Sequence, residues 1–447
     1  MAESFDLIVV GAGPAGETVA SRLAGSGTRI ALVERELIGG ECAYWACIPS
    51  KTLLRAAEIR REASRVAGTS EPAQQFDEVA AYRDYMVRDH DDGDELESYE
   101  KQGVRVFKGA ASFADRGRVR VGDETLESDR IVIATGSEPV IPEIPGLREA
   151  GYWTNREATA LTEVPVSVCV LGGGPVGIEL AQMLRRFGAR VEVVEEQERL
   201  LAREEPRASE LVLEALREDG IAVHLGAEVS KVELDGAERT IHLDGGERIR
   251  AAELLVATSR TPRIDDLGLE HAGIEPGPKG IEVDDRCRAG DGVWAIGDVT
   301  GVMPFSHVAM YQGRIACANI SGTERRADYG AIPRTVFSDP EIAAVGLTEE
   351  QAHERGLDVK AVRIALRDMV SRPWTYETDP RGELGLLVDR GANRLAGAWA
   401  VAPLAGEWIH YAALAIKARV PLDVLTDTVA QFPTYAEAYL KALEQLS

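Results

Sequence analysis

Two cysteines five residues apart, Cys42 and Cys47, are the residues in this sequence best suited to redox chemistry. They stand in Gly39-Gly40-Glu41-Cys42-Ala43-Tyr44-Trp45-Ala46-Cys47-Ile48-Pro49-Ser50-Lys51. Residues 52–61 read as a helix, which puts the pair at or near a helix N-terminus, where the dipole and free amides favour thiolate. A bridge between them closes only a small ring. Its loop entropy is modest and some strain follows, the conditions of a labile redox disulfide. A metal would need a further ligand, and no His, Asp or Cys follows closely, so no metal is expected. Cys169, Cys287 and Cys317 are isolated and read as inert thiols.

Two repeated segments must position this chemistry. Residues 5–10 form an apolar strand leading into Gly11-Ala12-Gly13-Pro14-Ala15-Gly16, then a helical stretch to Leu23 and a strand over 29–33 ending at Glu34. Residues 166–171 lead likewise into Gly172-Gly173-Gly174-Pro175-Val176-Gly177, a helix through Phe187 and a strand over 190–194 ending at Glu195. Gly11 and Gly172, Gly13 and Gly174, Gly16 and Gly177, Glu34 and Glu195 are each 161 residues apart. Strand, glycine turn, helix and an acid about twenty residues on is the context that makes such a turn a dinucleotide fingerprint. The first glycine turns the chain, the second admits a pyrophosphate to the backbone, and the third packs helix on strand. Two units imply two dinucleotide sites. Each glutamate can accept hydrogen bonds from an adenosine ribose, and Glu195 would repel a 2′-phosphate, favouring NADH over NADPH. Arg199 reads as a surface ion pair.

Further strands are expected over 130–135 (before Gly136), 254–258 and 293–296, the last placing Asp298 at a strand's carboxyl end, where cofactor hydroxyls are met. From about Ala331 apolar strands alternate (334–337, 341–345, 384–388, 395–400) ahead of a helix over 407–419, an α+β domain without a nucleotide signature. The chain has 447 residues, enough for two or three domains. Its 50 basic and 74 acidic side chains leave a net charge of −24, which disfavours nucleic acid and anionic membrane as partners. No membrane span or secretory signal is expected, and five cysteines are too few and odd for an extracellular framework. A cytoplasmic location is expected.

Two dinucleotide folds, a C-x₄-C between them and Ile-Pro-Ser-Lys after it resemble the pyridine nucleotide–disulfide oxidoreductases, the flavoprotein family of dihydrolipoamide dehydrogenase, glutathione reductase and mercuric reductase. The resemblance runs end to end, through 39–51, Ala134-Thr135-Gly136, 172–179, 257–262, 295–298 and 336–346. It implies an α/β fold with two Rossmann-like domains, for FAD and NAD(P), and a C-terminal α+β dimerisation domain. The implied boundaries are 1–148 with 265–328 for FAD, 149–264 for NAD(P) and 329–447 for dimerisation. It assigns Gly11, Gly13, Pro14, Ala15, Gly16, Glu34, Gly40, Glu41, Lys51, Thr135, Gly136 and Asp298 to FAD. Gly172, Gly174, Gly177, Glu179 and Glu195 fall to NADH, with Arg260 a further cofactor contact. Cys42 would exchange with substrate and Cys47 make a charge-transfer contact with the flavin. Lys51 and Glu179 resemble the ion pair near the flavin N5. Electrons would pass from NADH through FAD and the dithiol to a small-molecule acceptor, in a homodimer.

One departure bears on the acceptor. Disulfide-reducing members end in His-Pro-Thr with a glutamate four residues past the proline; here Phe432-Pro433-Thr434 keeps Glu437 but puts a hydrocarbon in the histidine's place. Losing a general acid–base typically costs roughly 10²–10⁴ in rate. Glu41 replaces a usual threonine, Ser259 a usual glycine, and Tyr44 and Trp45 are bulky between the cysteines, read first as packing. His307 and His410 are candidate substitute bases, though each reads first as structural. Three readings follow: a dithiol oxidoreductase, a quinone, dye or metal-ion reductase working directly from flavin, and a low-turnover redox-sensing or docking flavoprotein.

Overall fold

Leu7–Val10 and Ile30–Glu34 are buried at every residue, as strands covered on both faces must be. The computed structural model describes residues 2–446, which fall into two units. One holds the chain up to Ser50, Ala81–Val140 and Ser259–Asp328; the other holds Lys51–Ala80, Ile141–Thr258 and everything from Tyr329.

The first unit is built on a six-stranded sheet in the order Arg288–Gly290, Val293–Ala295, Ile131–Ile133, Leu7–Val10, Ile30–Glu34, Val104–Lys108. Every neighbouring pair is parallel except the first. The crossover from Leu7–Val10 to Ile30–Glu34 is the helix Pro14–Leu23, opened by a proline at its first turn, where a missing N–H costs nothing. The helix Ser306–Ile320 packs on it so closely that a Cβ on Gly313 would stand 2.9 Å from Thr18 Cβ. A ribbon of Arg260–Pro262 and Ser137–Pro139 sets Thr261 opposite Glu138. A second, four-stranded sheet carries Glu3–Ser4, Glu124–Glu127, Arg118–Val121 and Ala111–Asp115.

The second unit repeats the plan. Its parallel sheet runs Ala222–Leu225, Arg190–Glu195, Ser167–Leu171, Glu253–Val256, crossed by the helix Pro175–Arg186. A three-stranded meander, Val229–Asp235, Glu238–Leu243 and Arg248–Ala251, lies in the same unit. The C-terminal part is a five-stranded antiparallel sheet, Pro333–Val336, Glu341–Gly346, Arg394–Ala402, Glu383–Asp389, Val359–Ala365. Ala343, Leu384, Leu386, Ile409, Tyr435 and Tyr439 belong to its core.

The two Rossmann-like βαβ units and the α+β C-terminal part are therefore as expected. Two details differ. The helix expected over 407–419 is two pieces, Ala405–Trp408 and His410–Lys417, joined at Ile409, and Arg419 at φ 53° breaks the helical path beyond. The strand Val359–Ala365 leaves only a thin hydrophobic signal in the sequence because it is an edge strand with exposed Lys360 and Arg363.

Candidate redox site

In the first unit the glycine-rich turn forms a cradle. Gly11 has φ +100°, and a Cβ there would stand 2.3 Å from Ala134 O; one on Gly16 would stand 1.8 Å from Gly11 O. Nothing lies within 4 Å of the Cβ position of Gly13, which caps the helix Pro14–Leu23. That open space before a helix N-terminus, with Pro14 and Ala15 in the first turn, fits a dinucleotide pyrophosphate. The second unit has the same design: Gly172 is at φ +112°, a Cβ on Gly177 would stand 1.9 Å from Gly172 O, and one on Gly174 would meet nothing within 4 Å.

The repeat extends to hydrogen bonds. Glu34 Oε2 accepts from Ala12 N at 2.7 Å and Oε1 from Glu36 N at 2.8 Å. Glu195 Oε2 accepts from Gly173 N at 2.6 Å and Oε1 from Gln197 N at 2.8 Å. Each carboxylate is thus fixed at the end of its strand, with lone pairs left for ribose hydroxyls. Arg199 is not the surface ion pair expected. Its guanidinium donates to the carbonyls of Glu204 at 2.8 Å and Ala202 at 2.6 Å and to Ser209 Oγ at 2.9 Å.

The cysteines occupy consecutive helices. Cys42 lies in the short helix Gly40–Tyr44, and Cys47 is the first residue of the long helix Cys47–Arg65, which begins earlier than the 52–61 expected. Both thiols are partly exposed. A Cβ on Gly40 would stand 2.8 Å from Gly13 Cα, so the cysteine loop packs directly on the glycine-rich turn. Cys47 Sγ lies 3.4 Å from Ser306 Oγ, a partner the sequence reading missed, although Ser306 adjoins the His307 it singled out. His307 itself stacks on Phe305 at 5.1 Å, and His410 is the exposed first residue of the helix His410–Lys417.

Around the same loop runs a polar chain. Ser137 donates to Asp298 Oδ2 at 2.6 Å and receives Arg260 Nε at 2.9 Å. Arg260 and Arg263 reach Glu41 at 3.9 and 3.5 Å. Burial pushes the Asp298 carboxyl upward, and the Ser137 bond with Arg260 and Arg263 opposes it. Thr135 spends its hydroxyl on Arg263 O at 2.7 Å, and Gly136 turns at φ +75°. Ser137 and Arg263 were not anticipated; Ser137 follows Gly136 directly in a segment already singled out.

In the second unit Lys51 Nζ lies 2.7 Å from Glu179 Oε2, whose other oxygen accepts Phe337 N at 2.9 Å. Lys51 also stands 4.7 Å from the centre of the Phe337 ring. Phe432 is 73% exposed. Glu437 opens the helix Glu437–Glu444 with a buried Oε2 that has no hydrogen-bond partner among the described residues. Cys169 is fully buried, which drives its thiol far upward, and burial raises Cys317 to about 11. Among the described residues no three His, Cys, Asp or Glu side chains are placed to hold a metal ion, and no helix is long and apolar enough to cross a membrane.

Residues 5–313 match the family described as pyridine nucleotide-disulphide oxidoreductase, and 332–443 its dimerisation domain. The chain belongs to this family. Among curated members, the mercuric reductase of Streptomyces lividans is 36% identical over 97% of this chain and 94% of its own. The dihydrolipoyl dehydrogenase of Haloferax volcanii is 34% identical over 99% and 96%. Among solved structures, the HOCl-induced flavoprotein disulfide reductase RclA from Escherichia coli superposes with a TM-score of 0.89 at 28% identity, over 99% of this chain and all of that one. LpdA from Mycobacterium tuberculosis gives 0.88 at 26%, over the whole of both chains. The family is one of flavin-dependent oxidoreductases using FAD and a pyridine nucleotide.

Proposed function

We propose that this family member is an NADH-dependent dithiol oxidoreductase, passing electrons through FAD and the Cys42–Cys47 pair to a small-molecule acceptor. The observation that carries it is the packing of the cysteine loop on the glycine cradle, with Cys47 at a helix N-terminus and beside Ser306. FAD held at that cradle would supply two-electron transfer between nicotinamide and sulfur. The protein's part is to hold and orient. The turn Gly11, Gly13, Ala15 and Gly16 presents amides to the pyrophosphate, with Pro14 setting the first helical turn without an N–H to donate; Glu34 takes the ribose, and Asp298, set by Ser137, takes a hydroxyl of the linker. Gly40, Glu41, Thr135, Gly136 and Arg260 line the same cradle. Cys42 exchanges with the acceptor, and Cys47 is the inner thiol. Lys51 and Glu179 orient hydride transfer, and Gly172, Gly174, Gly177 and Glu195 hold the nicotinamide dinucleotide.

NADH is preferred because Glu195 repels a 2′-phosphate and Arg199 is committed to carbonyls. The domains are 1–148 with 265–328, 149–264 and 329–447, the last pairing two copies in a homodimer, in the cytoplasm.

Phe432 favours a second reading. Without a histidine there, acceptors that lose no thiolate, such as a quinone, a dye or a metal ion, are not handicapped. The curated relatives named mercuric reductase point to the metal ion among these. The test is a panel of lipoamide, glutathione disulfide, quinones and mercuric ion, under NADH and under NADPH, on wild type and Cys42→Ser. The proposal expects Cys42→Ser to abolish disulfide reduction and leave quinone reduction intact. Full activity of Cys42→Ser on disulfides would overturn it.

A further inference from the structure

The turn that follows the helix Phe76–Met86 is strained. Arg88, Asp89 and His90 have φ of 52°, 49° and 59° in succession, a left-handed run that L side chains hold only where their surroundings enforce it, often at functional sites. The surroundings here are specific. Arg88 Nη1 donates to Tyr44 Oη at 3.0 Å and pairs with Glu95 at 2.8 Å. Asp92, just past the turn, accepts Ile38 N at 2.7 Å and pairs with Lys108 at 2.7 Å. This bracing holds the His90 ring 6.0 Å from that of Tyr44 and 5.8 Å from that of Trp45.

Tyr44 and Trp45 lie between the two cysteines. Trp45 N donates to Glu41 O, closing the turn that carries Cys42. Trp45, three residues past Cys42, is the C-cap of the short helix that carries it. Tyr44 is buried, whereas Trp45 and His90 are half-exposed. Among the described residues the His90 ring makes these ring contacts and neither a hydrogen bond nor an ion pair. Of the charged residues in the turn, Arg88 is committed to Tyr44 and Glu95 and Asp91 Oδ1 accepts Gly93 N, while the exposed Asp89 side chain has no partner among the described residues.

We propose that His90, within the same subunit as Cys42, is the proton-transfer group for exchange at Cys42, doing the work for which Phe432 is unfit, with Trp45 as the wall of the acceptor site. The inference rests on the dithiol reading above and names its acceptor class, a small disulfide. The Cys42 thiolate attacks one sulfur of the acceptor; the acceptor S–S bond breaks, and the electron pair leaves on the second sulfur, which takes its proton from the His90 imidazolium. The Cys47 thiolate then attacks the Cys42 sulfur. The Cys42–Cys47 disulfide forms, the first acceptor sulfur leaves as a thiolate and is protonated from solvent through His90. The dithiol loses two electrons and the acceptor gains them as two thiols, with NADH restoring the dithiol.

The test uses flavin-loaded enzyme reduced by NADH. His90→Phe keeps a ring against Tyr44 and Trp45 but cannot move a proton, and His90→Gln guards against a packing artefact. Both should slow oxidation of the reduced enzyme by lipoamide by roughly 10²-fold or more, leave flavin reduction by NADH unchanged, and flatten the pH profile of Cys42 alkylation by iodoacetamide. Adding Phe432→His to His90→Phe should restore much of the rate. Variants that match wild type in lipoamide oxidation and alkylation profile overturn the role of His90 while the dithiol reading stands. Wild type that gains no titratable thiols on NADH reduction overturns both.

Discussion

Glu179 holds two partners with its two oxygens: Lys51 Nζ at 2.7 Å and the backbone N–H of Phe337 at 2.9 Å. Glu179 is almost fully buried and Lys51 about one-third exposed, so the lysine's orientation depends on the carboxylate. Glu179→Gln retains an acceptor for Phe337 N but loses the charge. Stopped-flow measurement should show flavin reduction by NADH slowed about 10²-fold, the scale of a misplaced reacting group. An unaltered rate would reduce the pair to a structural one.

Ser306 Oγ lies beside Cys47 Sγ, at 3.4 Å. A hydrogen bond to a charged group contributes about 1.5–3 kcal/mol, so Ser306→Ala should raise the pH at which Cys47 becomes thiolate by about one to two units. The readout is the pH dependence of the long-wavelength absorbance of the reduced enzyme. No shift would mean that this hydroxyl does not govern the thiol.

Coenzyme choice should turn on Glu195. Its two oxygens hold Gly173 N and Gln197 N, so Glu195→Gln removes the charge while keeping one acceptor. The ratio of kcat/KM for NADH to that for NADPH should fall about tenfold or more, equivalent to ~1.4 kcal/mol or more of lost discrimination. A ratio that does not move would place the selectivity elsewhere.

Glu341 supplies a pH signature. Burial raises its carboxyl to about 7, against the Gly406 N–H that it accepts, with Glu58, Glu407 and Asp339 adding repulsion. The folded state therefore holds a proton that the unfolded chain releases near 4.5, and this group's contribution to stability falls as pH rises from about 4.5 to 7. Glu341→Gln should stabilise the protein at pH 8, by about 1–3 kcal/mol or a few degrees in Tm, and have little effect near pH 4.5. Thermal melts at the two pH values decide it; equal shifts at both would remove titration as the cause.

Much of this was legible in the chain itself. A period of 161 residues between two strand–turn–helix–acid segments is a one-dimensional fact, and local physics converts it to structure: only glycine allows Gly16 to meet Gly11 O, and buried apolar runs make parallel strands. Cys42 and Cys47 are likewise close in sequence, and the helix signal after them placed one at a helix start. The edge strand Val359–Ala365 was invisible because charged residues on its open face dilute the pattern.

The sequence by itself determined the fold class, the two dinucleotide turns and the sulfur pair, because each is written in neighbours within about twenty residues. Only the tertiary structure decided which distant side chains meet. Ser306 reaches Cys47 across 259 positions, Glu179 reaches Lys51 across 128, and Arg199 turns to carbonyls instead of an acid. Such pairings depend on how strands stack and helices close over them, and no periodicity or motif records that. His90 carries no sequence signal for the same reason: its ring meets Tyr44 and Trp45 through a left-handed turn, braced by Arg88, that folds it back upon them.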